Sequence, residues 1–431
     1  MSTWQDLVTA SLIGTERTEV PAAGIPGVLN GDPADAARDP AAVLLDRAAL
    51  LTAARRAGRR PGRADPLPAA EPDDRPTVSQ DAGRRLARML GGEYPDLLAE
   101  WLAEATDRGL RPPPALLPAL LDRARRAAAA DPGLPRLVAE AGGPRARWLA
   151  GLNPDWDLAQ DLPGDDAWRL GTAAKRRGYL ASLLASDPDA ARPLIADGWQ
   201  AAAPGERAMF LAVLADGLAP PDEPLLEAAL DDGADDVRAW AAYLLARLPG
   251  SALGQRMAER ALRCLRLERS ARGTRLVAVP PAESDTSMRR DGVTPGPAAD
   301  QARLLLELVA RTPLRTWTDE FGRTAAQIVS VPSGDWTPVL FTAWARAAIA
   351  QRDQDWMAAL LHRALTGRPP GTAAENEAVR QLARRADPLL GAPDALPDPA
   401  PDVPPVVREA VRVQRFRYDM LKELGDDHDG D

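Results

Sequence analysis

The stretch Lys175–Leu265 decides how the chain is read, because it states one pattern three times. Arg177 is followed by Tyr179, Leu180, Leu183 and Leu184, Arg207 by Met209, Phe210, Val213 and Leu214, and Arg238 by Trp240, Ala241, Leu244 and Leu245. The arginines lie 30 and 31 residues apart, and each apolar set falls at offsets +2, +3, +6 and +7. On a helix of about 3.6 residues per turn these offsets make one stripe. Asp187-Pro188 and Glu223-Pro224 start the helices in between, as acid-Pro pairs do at a helix N-terminus. A lone helix pair cannot bury both of its faces, so neighbouring pairs must stack. The expected fold is all-α, an α-solenoid of stacked helix pairs.

Outward from this stretch the chain divides by composition. Residues 1–57 form an N-terminal helical segment: Trp4, Leu7, Val8 and Leu12 share a helical face, and Asp39-Pro40 opens a helix that Gly58 closes. Residues 58–78 are rich in Pro and Arg and read as a linker. A helical-repeat block spans 79–268, with helices over Asp81–Leu90, Pro95–Arg108 and Pro113–Ala129 and another that Gly142-Gly143 ends. Trp148 and Trp156 then pin a connector. Residues 269–300 interrupt the pattern: Thr274–Val279 is strand-like, Pro280-Pro281 ends it, and a short β-hairpin or loop insert is expected near 272–300. A C-terminal helical block covers 301–390, a Pro-rich linker 391–405, and a terminal amphipathic helix with an acidic tail 406–431.

Composition narrows the function classes. Lys+Arg less Asp+Glu is 53 − 62 = −9, with a pI near 5.1, which disfavours a general nucleic-acid role. Cys264 stands alone, which excludes an intramolecular disulfide and a cysteine-based zinc site. There is no run of about 18 apolar residues and no basic, apolar leader around Trp4-Gln5-Asp6, so a cytoplasmic setting is expected.

The search for chemistry returns little. His362 and His428 are the only histidines, neither has a triad or zinc motif around it, and no phosphate-binding glycine loop occurs. Asp231-Asp-Gly-Ala-Asp-Asp236 fails as a calcium loop because its twelfth position is Ala242. No catalytic residue, metal or cofactor is nominated, and the expectation is a non-enzyme. One charge pattern stands out: Arg260, Arg263, Arg266, Arg269, Arg272 and Arg275 fall at every third residue, one helical turn after Arg256. Read as helix, they form a slanting band that would suit an acidic partner; read blandly, they are a solvated face beside Glu259 and Glu268.

The repeat resembles HEAT-like repeats, in which an aspartate and an arginine link adjacent turns. That resemblance assigns Arg177, Arg207, Arg238 and Asp236 as structural ties between repeats. Four further stretches are similar to an uncharacterised bacterial helical family, mainly actinobacterial: Trp4-Gln-Asp-Leu-Val with Gly14-Thr-Glu-Arg17, Arg111-Pro-Pro-Pro-Ala-Leu-Leu-Pro118, Arg147-Trp-Leu-Ala-Gly-Leu-Asn-Pro154, and Asp222–Asp232. Members of that family tend to be encoded beside a MoxR-type AAA ATPase, a von Willebrand factor A protein and a SWIM zinc-finger protein. The resemblance implies a protein-binding scaffold or adaptor that partners such an ATPase in a chaperone-like system. It supplies no catalytic residues. The alternative is a nucleic-acid-binding protein or enzyme similar to the HEAT-like DNA glycosylases, for which the arginine band and Trp240 speak and the net charge does not.

Overall fold

The computed structural model describes residues 4–21, 38–58, 67, 69–128, 131, 133–156, 168–169, 171–271, 273–293, 300–367, 369–390 and 403–425. These residues are mostly helical, with one two-stranded sheet. Residues 59–66 and 68 of the linker 58–78, Arg272, the stretch 294–299, the Pro-rich 391–402 and the acidic tail with His428 lie outside them. No described helix is long and apolar enough to cross a membrane.

The chain divides at Ala69/Ala70 into two compact units. The first holds α1 (Trp4–Ile13) and α2 (Pro40–Gly58), which meet through Leu7, Ala10, Val43 and Leu44. Asp39 caps α2 by accepting a hydrogen bond from the Ala41 N–H at 3.1 Å.

The second unit begins with α3 (Gln80–Leu90), α4 (Leu98–Asp107), α5 (Leu117–Ala127) and α6 (Leu134–Leu152). The last of these is two helices joined end to end, the first ending at Gly142-Gly143 as expected. Gly143 takes φ 57° and ψ −147°, a non-helical break after which a second helix starts at Pro144. The Arg75 guanidinium fills the break, donating to the carbonyls of Glu140 at 3.1 Å and Ala141 at 3.2 Å, so the freed acceptors are satisfied. Trp148 therefore lies within α6. Trp156 acts as a clasp, its indole N–H donating to Asp122 of α5 at 2.8 Å.

Next come α7 (Ala173–Ser186), α8 (Pro188–Trp199), α9 (Pro204–Leu214), α10 (Glu223–Ala229), α11 (Asp235–Ala246) and α12 (Ala252–Cys264). Helix α7 packs on α8 and α9, and α11 packs on α9, α10 and α12. Asp187 caps α8 through the Ala190 N–H at 3.0 Å, in keeping with its acid-Pro start. The strands β1 (Leu265–Ser270) and β2 (Gly273–Ala278) follow α12 directly and pair antiparallel from Leu265↔Ala278 to Ser270↔Gly273. The hairpin thus begins earlier than the expected insert, because Leu265 and Leu267 alternate with polar residues at period two and put Leu265 in the core.

After α13 (Thr286–Arg290), the chain continues through α14 (Gln301–Arg311), α15 (Arg315–Phe321), α16 (Ala325–Val329), α17 (Thr337–Gln351), α18 (Gln354–Thr366) and α19 (Ala373–Arg385). Helix α17 is buried almost all round, against α11, α14, α18 and α19, and its Ala343, Ala345, Ala347 and Ala348 allow that crowding. Trp317, Trp344 and Trp356 meet there, with ring centroids 6.4 and 5.6 Å apart.

Two apolar cores result. One runs from Leu180 to Val413 without a break at the expected 268/301 boundaries, and the other gathers Val78 to Ala146. The last helix, α20 (Pro405–Gly425), belongs to both: Val406, Val407, Ala410 and Val413 enter the first core, and Phe416, Met420 and Leu424 enter the second.

Candidate functional site

The three arginines that head the repeats have different surroundings. Arg207 of α9 reaches Asp232 in the turn before α11, at 2.8 Å, and also donates to the Ala202 carbonyl at 2.6 Å. It links successive helix pairs. Arg238 holds its own turn, donating to the Asp232 carbonyl at 2.6 Å and pairing with Asp235. At the first position the tie is made by Arg176, 3.0 Å from Glu206, while Arg177 is half-buried beside it. Asp236 is exposed, and Asp232 is the acid that does the linking. Burial pushes the Asp232 carboxyl up, but hydrogen bonds from Arg207 and the Ala234 N–H outweigh it and hold its pKa below the usual range.

Further ties escaped the sequence reading. Arg192 of α8 donates to Asp222 at 2.7 Å, and the buried Asp222 also accepts the Ala219 N–H at 2.8 Å. Glu223 accepts the Ala252 N–H at 2.6 Å, Arg256 donates to Glu227 at 3.1 Å, and Arg260 donates to Asp291 at 2.6 Å. The pairs Arg192–Asp222, Glu223–Ala252, Glu227–Arg256 and Arg260–Asp291 stand 30, 29, 29 and 31 residues apart. That spacing is the signal that could have found them: acids and arginines one repeat apart, not one helical turn apart.

The arginine band divides in the same way. Arg256 and Arg260 face inward onto Asp291, whose residue is 1% exposed, and Arg260 also donates to Ser287 at 3.1 Å. Burial alone would raise the Asp291 pKa, yet the two guanidinium groups lower it below its ordinary value. Arg290 joins the cluster through Asp231 at 2.7 Å. These groups anchor the segment after the hairpin to α10 and α12.

The rest of the band does not continue as a helix. Arg263 is exposed on the last turn of α12, whereas Arg266, Arg269 and Arg275 lie on the strands, and Arg272 is outside the described residues. Strand alternation puts Arg266 and Arg275 on the outer face, where both pair with Glu268, at 2.9 and 2.8 Å. Arg269 is exposed near the tip, opposite Thr274. A slanting helical row is therefore replaced by a cationic hairpin rim.

Other candidates for chemistry are modest. Cys264 is buried, and that burial pushes its thiol pKa up, away from a reactive thiolate. His362 is exposed on α18. Trp199 is in the core, Trp168 packs on Phe210 at 5.4 Å, and Trp240 packs on Tyr243 at 5.8 Å. An open groove of about 460 Å³ beside β2 is lined by Thr274, Arg323, Gln327, Ser330, Val331 and Pro332 among others. Its hydroxyl at Ser330 is bound to the Ala326 carbonyl at 2.7 Å, and its lining offers no acid-base pair. Among the described residues no three His, Cys, Asp or Glu side chains are grouped to hold a metal.

No curated protein and no solved structure matches the chain. A model of the family of unknown function DUF5691 matches residues 6–391, and the chain belongs to that family.

Proposed function

We propose that the protein is a non-catalytic scaffold or adaptor, an α-solenoid of HEAT-like helix pairs that binds other proteins. The observation that carries this reading is the set of polar ties recurring at 29 to 31 residues, which join one helix pair to the next along α8–α13. Such ties hold stacked pairs in register, so that the surface they present is a continuous platform rather than a set of loose hairpins. The net charge of −9 and the internal use of Arg256 and Arg260 favour a protein ligand over a nucleic-acid backbone. By the family resemblance the partner is a MoxR-type AAA ATPase or its von Willebrand factor A companion, in the cytoplasm.

The test is affinity capture from native lysate at physiological salt with the full chain. A stoichiometric protein partner is expected, resistant to nuclease. Recovery of none, or of complexes that nuclease dissolves, would sink the proposal.

A further inference from the structure

The hairpin has one tied edge and one open edge. On the β2 side, the Leu276 N–H donates to the Pro332 carbonyl at 2.9 Å. On the ladder side, the Val279 N–H donates to the Cys264 carbonyl at 2.7 Å, which fixes the phase of the antiparallel bonding. Arg266 and Glu268 therefore bond across to Val277 and Arg275, and the N–H and C=O groups of Leu267 and Arg269 point away from β2. Among the described residues neither Leu267 nor Arg269 has a backbone partner on that side.

Charge gathers along the same edge. Arg263, Arg266 and Arg269 are exposed on α12 and β1, Arg275 is exposed across the ladder on β2, and Arg266 and Arg275 share the one carboxylate of Glu268. This cationic excess stands in a chain whose net charge is −9. An open strand edge offers main-chain hydrogen bonds to an extended segment. A surplus of guanidinium groups selects carboxylates on that segment.

Resting on the scaffold reading, we infer that the β1 edge docks an extended acidic segment of a partner protein by strand addition. The segment's backbone pairs with Leu267 and Arg269, and its carboxylates meet the rim arginines. Alternation along the added strand puts every second residue on the face that carries Arg266 and the residues between on the face that carries Arg269.

The probe is a fluorescent octapeptide of the repeat Glu-Glu-Val, which carries carboxylates on both faces of an added strand, titrated against the full chain at physiological salt and read by anisotropy. Two variants act on the edge in different ways. Arg269→Pro removes an outward N–H without breaking the ladder to β2, as proline does on an edge strand. Arg269→Glu keeps the N–H and reverses the charge. Arg125→Glu, on exposed α5 surface, is the control of equal charge change. Binding should weaken at least tenfold in both edge variants and stay unchanged in the control. Three outcomes overturn the inference: no binding by the wild-type chain, equal binding by Arg269→Pro, or a duplex DNA that binds more tightly than the peptide.

The two proposals fail separately. If the lysate partner is retained by Arg269→Pro while the peptide is not, the docking site is wrong as that partner's site and the scaffold stands. If the peptide binds as expected and no partner is captured, the scaffold reading falls alone.

Discussion

Arginine serves both the seam beneath α20 and the rim of the hairpin, under opposite conditions. In the seam, Arg417 is 5% exposed and donates to both oxygens of Glu100, the nearer at 2.7 Å, and to the carbonyls of Ala383 and Ala386. Arg85, 7% exposed, grips both oxygens of Glu423 and stacks 4.6 Å from the Phe416 ring. At the rim, Arg266 and Arg275 are 59% and 66% exposed and divide one carboxylate. A guanidinium without water must find protein acceptors for its donors, and the seam supplies Glu100, Glu423 and the Ala383 and Ala386 carbonyls. A hydrated one need not, and the rim keeps donors to offer. Position in the fold, not residue type, separates the fully engaged arginines from the hydrated ones.

This contrast is open to attack by mutation, and the largest effect belongs to the seam. Arg417→Ala leaves the Glu100 carboxylate without its guanidinium and the Ala383 and Ala386 carbonyls with Gln414 alone as side-chain donor, and should cost about 3–5 kcal/mol in urea unfolding. A loss below about 1 kcal/mol would mean that the seam is solvated like the rim. Next is Asp291→Asn, which uncouples Arg256 and Arg260 and should cost about 2–3 kcal/mol at pH 7. Its sign with pH is fixed by the lowered pKa of Asp291. An acid that holds its proton less tightly when folded gives stability that is complete above its unfolded pKa of about 3.9 and lost as pH falls through the folded value. The gap between wild type and Asp291→Asn should therefore be constant above about pH 5 and close below about pH 4. A gap that widens on acidification would contradict the assignment.

Smaller still is Gly143→Ala. It forces a side chain into a backbone conformation that suits glycine and against the Arg75 guanidinium, and should cost about 1–3 kcal/mol in the same assay. Last comes the rim itself. Arg263→Ala and Arg269→Ala should change stability by less than about 0.5 kcal/mol, since both are exposed and neither side chain forms an ion pair among the described residues. A large loss from either would turn the rim into structure and remove the contrast.

Sequence periodicity revealed the helices and their pitch, because apolar stripes at +2, +3, +6 and +7 are local facts about one helix. It could not reveal the ties. Arg192 and Asp222, or Arg260 and Asp291, lie a full repeat apart, and their pairing depends on how successive pairs rotate past each other. The same limit explains the arginine band. A spacing of three is neutral between a helical row and a strand, and Arg266-Leu-Glu-Arg269 carries enough charge to hide the alternation of Leu265 and Leu267. Residues 406–425 were legible as an amphipathic helix, but nothing local said that its two halves enter different cores.

The shared ownership of α20 has a consequence for timing. The core of Val78–Ala146 lacks Phe416, Met420 and Leu424 until the end of the chain has been made, some 270 residues after Leu152. At roughly 5–20 residues per second, synthesis leaves that core waiting for about 15 to 55 seconds with an apolar face uncovered. Nascent chains stalled before Pro405 should accordingly be the species that chaperones hold and proteases cut, and release of the last helix should end that vulnerability in one step.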